Sequence, residues 1–526
     1  MALKVALVTY GMLGGGIETY LINLGCVLKN KGMDVTVVTT EVPGAWFERL
    51  RSHGIKSKYI DGLDLLLPPE HILKVNKVLR QDGYDVIFLN HARYAQAAID
   101  LLDENTVVIP VLHGNDDVFY NISSYKSDLC NCIVAVSPRL ANVVIDKKPK
   151  CPVVTIPNGI QLIDTSKFKQ RTFYEKQIRL IYVGRLYHKE KGIFLIPDIL
   201  RRLKECNIDV FLDIVGDGND RDEFIGMLKD KGVLDKIHMW GTLGSQKVYE
   251  LLCKSHFLLF PSFTEGLPCV PIEAQMCGCI PIASKLSGST DVIIKDGETG
   301  ILVDIGDIDG ICKAVVALWQ EREHAKLMSI EASRYSRENF SVEAMGKKYY
   351  DLIIDAISGK YLYKEKREGS SIVKKLNAEQ LLEKHFDILF ISGTDEVKSM
   401  HKFWMKQMIV KQEPISGYLY KLGIRRAAIF GTLKDALYLL KDLSMAGIEV
   451  ISFLDNNLEM QGKILCNLPV NSSSWLVQHT KEIDIVVVSI ESESDVFVKE
   501  QLQKLTTDSA KVLSWKDLVR LNGFIN

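Results

Sequence analysis

The chain reads as an α/β protein in three domains, each a parallel sheet covered by helices. Three observations predict this. Short β-branched runs alternate with stretches whose apolar residues recur at helical spacing. The alternation runs through two series of similar length, separated by the polar stretch "DTSKFKQRTFYEKQ" (164–177). A shorter third series follows a second polar break, and 526 residues are too many for one core.

The first series opens with "KVALVTY" (4–10), a strand that ends in "GMLGGGIE". "IETYLINLGCVLKNKG" (17–32) is the following helix, stopped by Gly32, and "DVTVVTT" (34–40) is the next strand. Strand, glycine loop, helix, strand is the first unit of a doubly wound sheet. Further strands are expected at "DVIFLN" (85–90), "VVIPVLHG" (107–114), "CIVAVS" (132–137) and "PVVTIPNGI" (152–160). The second series has strands at "IRLIYVGRL" (178–186), "DVFLDIVGDG" (209–218), "KIHMWGTL" (236–243), "FLLFPSF" (257–263), "CIPIAS" (279–284) and "GILVD" (300–304). A closing helix covers 341–357. Residues 358–380, polar and basic with Gly-Ser-Ser, read as a linker. The third series has a helix around 401–412, strands at 425–432, 448–457 and 483–492, and a helix between the first two. The domains are therefore 1–165, 166–357 and 381–526.

Sixty-five basic and 66 acidic residues leave a formal charge of -1, which gives no global pull toward nucleic acid. The apolar runs are short and broken by charge or proline, so no membrane span is expected. "MALKVALVTYG" reads as a first strand and lacks a signal-peptide pattern. Eleven cysteines, many inside apolar runs, fit reduced core residues of a cytoplasmic protein. Cys130/Cys132 and Cys277/Cys279 are C-x-C pairs without a second zinc-type ligand pair, so no metal site is expected. His188 and His256 have no partner pattern and read as structural or solvated.

Three loops carry chemistry. Gly14, Gly15 and Gly16 sit between a strand and a helix N-terminus, where the backbone can approach an anion closely. "VGRLYHKEKG" places Arg185 just past a strand and Lys191 before a helix. A planar fork and a point charge at a sheet's carboxyl edge suit a diphosphate. "TEGLPCVPIEA" sets Glu265 in a loop, Gly266 and Leu267 at a helix start, and Glu273 within that helix. Each loop alone also fits a plain turn or a solvated pair.

Taken in order, Arg185 to Lys191, "VGDG" (215–218), and Glu265-x7-Glu273 followed by Gly278-Cys279-Ile280-Pro281 resemble the retaining glycosyltransferases of family 4. The resemblance covers residues 1 to about 357. It implies a GT-B fold, two Rossmann-like domains facing a cleft, with the second domain holding a nucleotide-sugar, most often a UDP-sugar. Arg185 and Lys191 would bind the donor diphosphate, Glu265 the donor sugar and Glu273 the ribose. Gly15 and Gly16 would border donor phosphate and acceptor. Gly184, Gly216, Gly241, Gly266 and Leu267 would line the donor site. His113 matches the family's histidine near the transferred sugar, and Asn158 and Gly159 match the interdomain segment. The chain departs from the family at Gly266-Leu267-Pro268, where Gly-Phe-Gly is common, and at "SGSTDVI" (287–293), where Gly-Gly-x-x-Glu is common. The implied reaction moves a sugar to a hydroxyl of a glycan or lipid-linked glycan. It requires no cofactor or divalent metal and proceeds without a covalent adduct on Glu265. A nucleotide-sugar epimerase of the same fold and a non-catalytic assembly protein are the rivals.

The third domain resembles Rossmann-like modules of sugar-modifying proteins, with Gly431 as turn glycine and Asp455 at the ribose position. Nucleotide binding and an assembly role, with itself or a partner, stand side by side. The basic linker, with Lys364, Lys366, Arg367, Lys374 and Lys375, reads as a solvated spacer or as a contact with anionic lipid at the inner face of a membrane.

Overall fold

The computed structural model describes residues 2–524 apart from 62–66, 115, 163, 362–366, 368–376, 391–392, 433, 458–459, 491–493 and 507–509. The first sheet has the order β3-β2-β1-β4-β5-β6-β7, all parallel. Its strands are β1 (Lys4–Thr9), β2 (Asp34–Thr39), β3 (Lys56–Tyr59), β4 (Val86–Asn90), β5 (Val107–Leu112), β6 (Ile133–Ala135) and β7 (Val153–Thr155). The second sheet runs β10-β9-β8-β11-β12-β13, also parallel. It comprises β8 (Ile178–Val183), β9 (Val210–Val215), β10 (Ile237–Gly241), β11 (Phe257–Phe260), β12 (Ile280–Ser284) and β13 (Ile301–Val303). Central strands such as β11, Phe-Leu-Leu-Phe, are apolar throughout because helices cover both faces.

In both sheets the strand order reverses once, between β1 and β4 and between β8 and β11. Ligands of doubly wound sheets sit outside the carboxyl ends at that reversal. The glycine loop follows β1. The Arg185 loop follows β8 and the Glu265 loop follows β11.

The two domains are joined by two chain segments that run side by side. Ile160 pairs with Ser341 as an isolated bridge, and Ile160 N–H donates to Phe340 O. Gly159 is required there, because a Cβ would lie 2.7 Å from Val342 Cα. Ser341 then caps the helix Val342–Ile357. This helix closes the second domain in sequence but packs on the first. Tyr349 lies 5.5 Å from Phe88 and 5.8 Å from Tyr20, ring to ring, and Gly346 abuts Val27.

The third sheet, β16-β17-β15-β14-β18-β19, contains β14 (Arg426–Phe430), β15 (Glu449–Leu454), β16 (Ile464–Leu465), β17 (Leu468–Asn471), β18 (Ile485–Val488) and β19 (Lys511–Ser514). All pairs are parallel except β16 with β17. The domain is not tethered loosely. Helix Ala378–Leu389 lies on helices Pro68–Asp82 and Arg93–Ala97 of the first domain, and one apolar core runs through both. Tyr94 and Tyr438 hydroxyls meet at 3.0 Å, Arg93 donates to Leu389 O at 3.0 Å, and Lys384 pairs with Asp100 at 2.6 Å.

The linker expectation changes accordingly. Arg367 is buried, and its guanidinium donates to the carbonyl oxygens of Leu129, Asp103 and Thr106, the acceptors that loop ends leave free. It is neither solvated nor available to lipid. Helix Ala378–Leu389 also begins inside the stretch read as linker. Lys364, Lys366, Lys374 and Lys375 lie outside the described residues.

Candidate functional site

The loop after β8 is shaped by close approaches. Gly216, at φ +130°, lies against the Gly184 carbonyl oxygen, which any Cβ would strike. Gly216 N–H donates to Gly241 O at 2.8 Å and Gly184 N–H to Val215 O at 3.0 Å. The carboxyl ends of β8, β9 and β10 are thereby pinned together. Tyr182 hydroxyl donates to Arg185 O at 2.9 Å and holds the turn from behind. Gly192, at φ +62°, ends the short helix His188–Lys191 against the Pro261 carbonyl, where a side chain would not fit. That approach delivers Lys191 to the loop after β11.

There Lys191 Nζ lies 2.6 Å from Glu265 Oε1, and Ser262 Oγ donates to the same oxygen at 2.8 Å. Both charged side chains are largely covered, with 18% and 11% of their surface exposed, so the pair is screened less than a surface ion pair. Arg185 stands apart from it. Its guanidinium is exposed and pairs with Glu190 at 2.7 Å. Glu273, in helix Cys269–Met276, accepts from the Tyr249 hydroxyl at 3.3 Å. Burial raises the Glu273 carboxyl above its usual pKa, and the Tyr249 hydrogen bond opposes this.

On the first domain, Gly15 and Gly16 are exposed at the start of helix Gly16–Asn30, and a Cβ on Gly16 would point into open space. His113 follows β5. Its Nε2 lies 2.9 Å from Asn90 Oδ1, while Asn90 Nδ2 donates to Val8 O. The Asn90 oxygen therefore faces the ring, and Nε2 carries the proton. Burial, with His91 nearby, pushes the His113 pKa down to about 3, so the ring is neutral at physiological pH. Asn158 Oδ1 is buried without a partner in the segment joining the domains.

The structure thus brings Lys191 to Glu265, and Gly184 to Gly216 and Gly241. It leaves Arg185 with Glu190 and Glu273 with Tyr249. Sequence reading missed Tyr182, Tyr249, Ser262 and Asn90. Ser262, three residues before Glu265, was within reach of a local pattern. The others depend on neighbouring strands and helices. His256 is structural: its Nδ1 accepts from Arg179 N–H and its Nε2 donates to Thr172 O. His188 accepts from Phe194 N–H and stacks on that ring. Cys130, Cys132, Cys277 and Cys279 are buried thiols, whereas Cys269 departs from the core reading and is exposed at the head of its helix. Among the described residues no group of three or more His, Cys, Asp or Glu could hold a metal.

In the third domain Gly431, at φ +105°, packs against Ser489. Asp455 follows β15, but Thr432 Oγ1 donates to its Oδ2 at 2.6 Å and Asn457 N–H to its Oδ1 at 2.9 Å. Its carboxylate is already engaged.

Residues 164–335 match the family described as Glycosyl transferases group 1, and residues 14–163 match Glycosyltransferase Family 4, more than half of the chain between them. The chain belongs to the family 4 glycosyltransferases. N-acetyl-alpha-D-glucosaminyl L-malate synthase of Bacillus anthracis is 24% identical over 396 residues, 68% of this chain and 100% of that protein. The lipopolysaccharide core biosynthesis glycosyltransferase LpsE of Rhizobium meliloti is 24% identical over 349 residues, 64% of this chain and 96% of that one. The structure of Anabaena HepE in complex with UDP and glucose superposes with a TM-score of 0.55 at 16% identity, covering 67% of this chain and 100% of its own. The glycosyltransferase therefore has the GT-B fold. Among its described residues no helix is long and apolar enough to cross a membrane.

Proposed function

We propose that this glycosyltransferase moves a sugar from a UDP-sugar, with retention at the anomeric carbon, to a hydroxyl of a glycan or lipid-linked glycan. The observation that carries the reading is the covered Lys191–Glu265 pair at the carboxyl edge of β8 and β11. Lys191, with the exposed Arg185 of the same loop, stabilises the charge that develops on the departing diphosphate. Glu265 accepts hydrogen bonds from donor-sugar hydroxyls, and Glu273 accepts from the ribose. Gly15 and Gly16 present an open helix N-terminus to the phosphates and acceptor. His113, neutral and donating to Asn90, keeps Nδ1 as an acceptor toward the sugar.

Glu265 is poorly set up as a covalent nucleophile. One carboxylate oxygen is shared between an ammonium and a hydroxyl, which lowers its electron density. Intact-protein mass spectrometry is expected to show no glycosyl adduct. The cationic side chains of Lys191 and Arg185 offset the charge on the departing diphosphate, so turnover is expected to survive EDTA. UDP in the HepE structure supports the donor nucleotide, and the lipopolysaccharide-core relative supports a glycan acceptor. The test is a panel of nucleotide-sugars read by nucleotide release, with and without acceptor, using Glu265→Ala and Lys191→Ala as controls. Release that ignores both substitutions would defeat the reading. Product formed without acceptor would favour an epimerase.

A further inference from the structure

We propose that Arg139 and Gly288 form a latch between the two domains, and that Arg139 is a positioning residue for transfer. The inference rests on the donor-site reading above.

Arg139 is the second residue of helix Pro138–Asp146, which follows β6 in the first domain. The first turn of a helix leaves N–H groups without intrahelical partners. Pro138 has none to satisfy. Leu140 N–H donates to the capping Ser137 Oγ at 3.3 Å. Arg139 N–H donates to the carbonyl of Gly288, in the second domain, at 3.1 Å. The same residue's Nη1 donates to the main-chain carbonyl of Glu265 at 3.3 Å. Leu140 lies 4.0 Å from where a Cβ on Gly266 would stand. One helix start in the first domain therefore touches two loops of the second, those that follow β11 and β12.

Gly288 is required for this meeting. Its φ is +69°, and a Cβ would lie 2.6 Å from Arg139 N and 2.9 Å from Arg139 Cα. Both atoms are backbone and cannot swing aside. Glu265 is then held from two sides. Lys191 and Ser262 fix its carboxylate from within the donor domain, and Arg139 fixes its carbonyl from the acceptor domain. Domain position is thereby transmitted to the residue that meets the sugar. When the domains part, the Arg139 N–H and guanidinium exchange these carbonyls for water at little net cost, which makes the contact reversible. Transfer without hydrolysis needs closure over the donor.

The test compares the full-length protein with Arg139→Ala, Arg139→Lys and Gly288→Ala. Hydrogen exchange of the segment 136–142 is measured by mass spectrometry, without ligand and with UDP. The latch predicts exchange about fivefold faster in Gly288→Ala than in the parent protein. With a donor that the panel shows to turn over, Arg139→Ala and Gly288→Ala are expected to lose about tenfold in kcat, with donor KM changed by no more than about threefold. Arg139→Lys keeps the main-chain bond and a charge, so it is expected to fall between the parent protein and Arg139→Ala. Parent-like exchange in Gly288→Ala, or parent-like kcat in Arg139→Ala, overturns the latch. Absence of UDP binding by the parent protein defeats the donor reading instead, and exchange in the ligand-free proteins still decides the latch.

Discussion

Acid should undo the joint core of the first and third domains, and three histidines set how fast. Burial depresses the pKa of His71 to about 4 and of His113 and His385 to about 3. Cations strengthen the effect at His71, where Lys434 and Lys74 outweigh Glu41, and at His385, where Lys126 and Lys384 oppose Asp100. Each folded value lies below the unfolded value of about 6.5, so the unfolded chain binds more protons in acid. The stability these groups permit is complete above pH 6.5 and is lost as the pH falls toward 4 and 3. At pH 5 the unfolded rings are charged and the folded ones neutral, a loss of about 2 kcal/mol for each, or about 6 kcal/mol together. That rivals the roughly 5–15 kcal/mol of net stability a domain has. His71 and His385 both line the seam between the two domains, His71 against Tyr94 and His385 against Tyr125. Urea unfolding is followed by fluorescence of Trp404 and Trp515, both fully buried in the third domain, between pH 7.5 and 4.5. His385→Gln should lower the slope of stability against pH by about 1.4 kcal/mol per unit below pH 6. The same slope in variant and parent would refute the reasoning, whatever the variant costs at neutral pH.

Arg93→Ala strands Glu41, which is 6% exposed and paired with Arg93 at 3.1 Å, and should cost about 3–5 kcal/mol by urea midpoint. Adding Glu41→Gln should recover part of that loss. Gly216→Ala drives a Cβ into the Gly184 carbonyl at a backbone angle L-residues avoid, and should abolish UDP binding measured by calorimetry while destabilising the second domain by about 2 kcal/mol or more. Glu273→Gln keeps the Tyr249 contact but not the charge, so donor KM should rise by about tenfold with kcat nearly unchanged.

What was legible in the sequence was what local pattern controls. The glycine loop, the Arg185 loop and the Glu265 loop all fall at carboxyl ends, because an apolar run marks the strand and the turn residues mark its exit. What pairs across the sheet was not legible. Lys191 and Glu265 are 74 residues apart, and they meet because β11 lies beside β8, an order no local pattern encodes. Strand β3, Lys-Ser-Lys-Tyr, carries polar side chains because it is the sheet's edge, so it lacks the apolar run that announces a central strand. Arg367 misled for a different reason. A basic stretch with Gly-Ser-Ser looks solvated, and only the free carbonyls of Leu129, Asp103 and Thr106 make burial of a guanidinium affordable.

The packing divides the molecule differently from the order of its chain. Helix Val342–Ile357 and the third domain both belong mechanically to the first domain, through Tyr349 on one side and the Glu41–Arg93–Tyr94–Tyr438 seam on the other. The second sheet and its helices are the body left with cores of their own. The two joining segments pair at Ile160 and Ser341, and the Arg139–Gly288 contact joins the same two bodies beside the loop that carries Glu265. The third domain is fixed instead to the carboxyl edge of the first sheet, where Glu41 follows β2 and Arg93 opens the helix after β4.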